Sequence, residues 1–176
     1  MNERTESAKP ALAGIQATGE FGAQVELALK KSAPLQRPFF VVLLQVEGLD
    51  QFRARRTGDE VNHLLRDLHA AVRKAVHPSQ FVGVFRNGLG LVFDAADPSQ
   101  VDTISRRLMA LCQQTIRNGR YNDLTSRWSD ILLQFLSPAG NSVLITKVGW
   151  SIYPRDGMTA ADMIKRAWNS LIEQSR

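Results

Sequence analysis

Acids are missing from the one turn where they would be most useful. The stretch Phe81 to Phe93, FVGVFRNGLGLVF, reads as two apolar strands folded on an Asn87-Gly88 turn, and Leu89, Gly90 and Leu91 follow without a carboxylate. Asn-Gly between apolar runs signals a hairpin, because both central residues of a type I′ turn need positive φ. A tip of this kind has no group to hold a metal, move a proton or bind phosphate by charge, which points to binding and away from catalysis. Cysteine is nearly absent as well. Cys112 stands alone, so it forms no internal disulfide and has no local partners for a zinc site. Its helical spacing to Leu108 and Leu111 fits a packed thiol, with a redox or surface role as the other reading. His63, His69 and His77 lack metal-ligand spacing with any acid or cysteine and read as ordinary helix residues. No apolar run approaches the roughly 18 residues of a membrane span. The opening MNERTESAKPALAG lacks the apolar segment of a secretory signal, so a cytoplasmic protein without membrane insertion is expected. Ser-His-Asp and Cys-His sets, a Walker loop and an RNP-like aromatic stripe are all missing.

What is present is the composition of one soluble globular domain: 176 residues, 44% apolar and 22% charged. A net charge of +5 permits contact with nucleic acid, anionic lipid or an acidic partner, although the charge is scattered. Residues 1–19 are small and polar, with Pro10, Gly14 and Gly19, and read as a flexible tail before a domain spanning 20–176.

Phe21, Val25, Ala28 and Leu29 recur at helical spacing, with Lys30 and Lys31 in the last turn, where cations suit the negative helix end. Pro38 to Val46, PFFVVLLQV, is the continuously apolar run of a strand covered on both faces. A polar loop through Arg53, Arg55 and Arg56 leads to Thr57 or Asp59 as N-cap. Val61, Leu64, Leu65, Leu68, Val72 and Val76 then mark one helical face to about His77. After the hairpin, Asp97-Pro98 supplies a cap for a helix through Val101, Ile104, Leu108, Leu111 and Thr115. Ile131 to Leu136 and Val143 to Ile152 read as a second hairpin, and Thr159 caps a last helix facing inward through Met163, Ile164, Ala167 and Leu171. The fold class is α/β (α+β): a ferredoxin-like β-α-β-β-α-β core with a leading helix and an extra hairpin.

These elements in this order resemble a GGDEF domain, the bacterial module that in its active form joins two GTP molecules into cyclic di-GMP. The resemblance runs from about Glu20 to Arg176. It is most specific at Lys147 to Gly157, KVGWSIYPRDG, which is similar to the family's SIGVAxYPxDG strand and turn. Val41 to Phe52 is similar to its LLLLDIDxFKxI strand, and Gly58-Asp59-Glu60-Val61 to its GD-x-V helix start. The resemblance implies phosphoryl transfer on carboxylate-held divalent metal. The residues depart from that chemistry. The first-strand aspartate is Gln45, with Glu47 nearby, and the five-residue signature is Asn87-Gly88-Leu89-Gly90-Leu91, so Leu89 and Gly90 replace both acids. The guanine-recognising asparagine falls on Arg53, and a phosphate-contacting lysine on Ser175. The inhibitory Arg-x-x-Asp motif would occupy Pro78 to Phe81, which lack both charges. Asp59 matches a guanine-contacting aspartate and equally fits a helix cap.

A pseudo-enzyme without catalytic residues, metal or cofactor is therefore expected, acting as a protein interaction or regulatory module in bacterial signalling or cell organisation. Its expected partner contacts are Leu89 and Leu91 at the hairpin tip, and Trp128 in the insertion from Arg117 to Ser142, because exposed apolar residues at a turn mark binding. An alternative is a non-catalytic receptor for GTP or cyclic di-GMP, using Asp59 with Arg53, Arg55 and Arg56, whose forked guanidiniums bind phosphate without metal. The same arginines also read as a solvated basic loop. A nucleic-acid-binding module ranks last, for want of an aromatic platform beside the charge. A homodimer is admitted.

Overall fold

The strand-like run after Pro38 forms the centre of the molecule. The computed structural model describes residues 19–94, 99–119, 121 and 144–173, and of Arg55 the backbone alone. Strand β1, Phe39–Glu47, lies between two neighbours and is buried along nearly its whole length. A sheet of four antiparallel strands in the order β2-β3-β1-β4 is built from it with β2 (Phe81–Phe85), β3 (Gly88–Asp94) and β4 (Ile145–Tyr153). That order, with helices crossing between β1 and β2 and between β3 and β4, is the ferredoxin-like plan read from the sequence.

Alternation along β1 divides the apolar residues between two layers. Phe40, Val42, Leu44 and Val46 meet α3 (Gly58–Ala75) and α4 (Gln100–Asn118) in the larger core. Phe39, Val41 and Leu43 face the other way, onto α1 (Glu20–Ser32) and α5 (Ala160–Glu173). A plain ferredoxin-like sheet is covered on one face. Here the leading helix and the last helix cover the second, and the continuous apolar run of β1 is the sequence trace of that double cover. Among the described residues no helix is long and apolar enough to cross a membrane.

Three expectations change. The stretch with Arg53 and Arg55 is no loop but a short helix, α2 (Leu49–Arg55), because Leu49 and Phe52, three residues apart, both bury in the larger core. Gly48, at φ 83, turns the chain off β1 into it. The hairpin turns one residue earlier than expected. Phe85 pairs with Gly88, so Arg86 and Asn87 are the central residues, and Arg86 alone takes the left-handed φ, at 52. Gly88 is required for another reason: a Cβ there would collide with the carbonyl oxygen of Leu44. Leu89 and Leu91, expected as exposed contacts, are 1% and 0% exposed. They cannot be a partner surface, because β3 is an inner strand and they point into the larger core beneath α3 and α4.

Thr57 and not Asp59 caps α3. Its side chain accepts from the Glu60 N–H while Glu60 accepts from the Thr57 N–H at 3.0 Å, a reciprocal capping box. The 1–18 segment of the tail, the Asp97-Pro98 cap, the first strand of the second hairpin and Trp128 lie outside the described residues.

Candidate functional site

The end of β1 and the start of α2 enclose a cleft of about 370 Å³ with the hairpin turn and the C-terminal end of α5. Gln45, Glu47, Asp50, Gln51, Asn87 and Lys147 supply its polar groups, and Leu171 and Ile172 its apolar side. Register explains the grouping. Gln45 pairs with Lys147 on β4 and with Gly88 on β3, so residues distant in sequence meet at one end of the sheet. Lys147 Nζ then reaches diagonally to Glu47 Oε2 at 2.6 Å.

A second polar group closes over the turn. Arg53 Nη1 donates to Asp50 Oδ1 and Arg53 Nη2 to Asn87 Oδ1, both at 3.4 Å, while Asn87 Nδ2 donates to Asp50 Oδ1 at 3.2 Å. The Asn87 carbonyl also accepts from the Val46 N–H at 3.1 Å, which ties the turn to β1. Arg53 and Asp50 are exposed, so their ion pair orients more than it stabilises, at about 0–1 kcal/mol.

Of the four residues expected to form an anion site, Arg53, Arg56 and Asp59 face different neighbours, and the Arg55 side chain lies outside the described residues. Arg53 turns to the hairpin, whereas half-buried Arg56 faces α3 and pairs with Glu60 at 3.4 Å. Asp59 is exposed in the first turn of α3, where its charge suits the helix N-terminus. Arg53, Arg56 and Asp59 all stand outside the cleft wall. Sequence reasoning missed Lys147, Asp50 and Asn87 as cleft residues. The partnership of Lys147 with Glu47 needs the strand register, which no local pattern supplies.

Beside the cleft, α1 seals the hairpin. The Phe21 ring lies 5.0 Å from Phe85 and 6.3 Å from Phe81, and a Cβ on Gly90 would stand 2.6 Å from that ring. Arg86, at the turn, lies over Trp168 of α5 at 4.8 Å. Helices α1 and α5 thus hold the hairpin from one side.

The fold recurs in solved structures. The active GGEEF domain of a diguanylate cyclase from Vibrio cholerae superposes with a TM-score of 0.64 at 14% identity, over 88% of this chain and 86% of that one. The chain has the GGDEF fold. The FimX GGDEF domain from Pseudomonas aeruginosa is similar at a TM-score of 0.63 and 15% identity, over 87% of this chain and 84% of that one. The GGDEF domain of DgcB from Caulobacter crescentus, in complex with c-di-GMP, gives 0.63 at 10% identity, over 88% and 79%. At these identities the likeness is one of fold. No protein-family model matches the sequence, and no curated protein does.

On the GGDEF fold, the positions that the resemblance gives to the signature acids are core positions in this chain. Leu89 is buried among the larger core and Gly90 lies under Phe21. The donors left for a divalent metal at the cleft are the neutral amide of Gln45, Glu47 engaged by Lys147, and Asp50 engaged by Arg53 and Asn87. They do not fit a two-metal site, which draws on several convergent free carboxylates. Among the described residues no group of three or more His, Cys, Asp or Glu could hold a metal ion.

Proposed function

We propose that this chain is a catalytically inactive GGDEF-fold domain that serves as a protein-protein interaction and regulatory module in bacterial signalling or cell organisation. The packing at Leu89 and Gly90 carries the reading. Joining two nucleotides by phosphoryl transfer needs charge neutralised at the phosphates and an activated hydroxyl. A side chain buried in the core and a glycine roofed by an aromatic ring contribute to neither. The test is incubation of the purified chain with GTP and magnesium, with products resolved by chromatography. The expected result is no cyclic di-GMP above a protein-free control; product that disappears in Q45A would overturn the reading.

A second reading draws on the cleft itself. Its volume of about 370 Å³ falls in the range of small-ligand sites, and Lys147 gives it a cation. On this reading the domain is a non-catalytic receptor for a guanine nucleotide, as the c-di-GMP complex of DgcB suggests. Calorimetric titration with GTP and with cyclic di-GMP, each with and without magnesium, separates the two. Saturable heat that K147A removes supports the receptor; no heat with either ligand supports the interaction module.

A further inference from the structure

A second pocket, of about 340 Å³, lies at the opposite end of the sheet, between the end of α3, the end of β3 and α4. Phe93, which pairs with Phe40 near the start of β1, forms its floor together with Leu108. Val76, Ile104 and Leu111, all partly buried against the main core, make its sides. The rim is polar, and its one charged lining residue is Arg107, exposed on α4, with the His77 imidazole just past α3. Arg73 donates to the carbonyls of Pro78 and Gln80 at 2.6 Å each, which fixes a second guanidinium beside the wall residue Gln80.

Among the described residues the lining carries no opposing charge, and Arg107 makes no hydrogen bond or ion pair. Asp94, which ends β3, lies on the opposite face of the sheet, in the groove beside α1. The apolar floor and the charged rim ask for different things of one ligand. An aliphatic and phenyl lining suits a Leu or Phe side chain, whereas a nucleobase would leave its donors and acceptors unpaired there. Guanidinium groups at the mouth suit carboxylates on either side of such an anchor.

We propose that this pocket docks a short acidic segment of a protein partner, with one large apolar side chain in the cavity and flanking carboxylates on Arg107 and Arg73. The proposal goes beyond the reading of the cleft, because it concerns another end of the molecule and holds whether or not a nucleotide binds there.

The experiment is fluorescence polarisation of the intact chain with three pools of labelled short peptides. One pool carries Phe or Leu flanked by Glu and Asp, a second has Ala at the apolar position, and a third has Lys in place of the acids. The first pool is expected to bind about tenfold tighter than either control. R107E should weaken it by about tenfold while leaving the thermal transition in place, because Arg107 is exposed. I104E should abolish binding. Equal binding of the acidic and lysine pools, an affinity unchanged by R107E, or no binding by any pool would overturn the proposal. So would cyclic di-GMP binding that R107E removes, which would make the pocket a nucleotide site.

Discussion

Two leucines and two glycines of β3 show how one side chain's role depends on what lies across from it. In GLGLVFD the glycines interrupt the apolar run, so Leu89 and Leu91 look in the sequence like isolated residues at a hairpin tip. Their exposure of only 1% and 0% shows that the glycines are instead places of close approach. Gly88 admits the Leu44 carbonyl and Gly90 admits Phe21, contacts between segments far apart in sequence. Replacing Leu91 by Ser removes a full core side chain and leaves a hydroxyl without a partner, so a loss of about 3–5 kcal/mol is expected. Urea denaturation checks this; a midpoint equal to that of the parent chain would return Leu91 to the surface. Cys112 was legible from its helical spacing alone: it is buried in the larger core, and burial pushes its thiol up to about 12, out of reach of ordinary thiol chemistry.

The elements were read best where one period ran long. Helices α1, α3, α4 and α5 and strand β1 follow from residues three to four apart or from an unbroken apolar run, signals that need no knowledge of the tertiary neighbours. Helix α2 escaped because it is under two turns long and its charged residues outnumber its two anchors, Leu49 and Phe52. The turn from β4 to α5 depends on Asp156. The Ile152 N–H donates to Asp156 Oδ2 at 2.8 Å, and Arg155 reaches both carboxylate oxygens at 2.9 Å. Burial opposes ionisation of Asp156, but the Arg155 hydrogen bonds, the Ile152 N–H and the charges of Arg155 and Arg166 outweigh it and hold the carboxyl below its usual range. A carboxyl with a depressed folded value contributes stability above its unfolded value of about 3.9, and that contribution is lost as pH falls through the lower folded value. The chain is therefore expected to be more stable than D156N at neutral pH, with the gap narrowing below about pH 4. Thermal melts of both proteins across that range test it, and a gap that widens toward acid would contradict the assignment.

At the scale of the molecule, two cores share one sheet, and the smaller depends on elements outside the ferredoxin-like plan. Phe21 is the hinge of that dependence, since it touches Phe81, Phe85 and the space above Gly90. F21A is expected to cost about 3–5 kcal/mol and to loosen the hairpin while leaving α3 and α4 protected. Hydrogen exchange resolves this: protection lost evenly across all helices would show that the layers do not separate. The double cover was legible in the apolar run of β1. The cleft was not, because it is assembled from strand ends whose register no local pattern fixes. The roof over Gly90 also bears on the history open to this chain. A single codon change could place an acid at Gly90, yet its side chain would meet the Phe21 ring, and trimming that ring would uncover the second core. An acid at Leu89 would be stranded in the first core. Each step toward an acid at these two positions is thus opposed by folding, and packing works as a ratchet that holds both of them apolar.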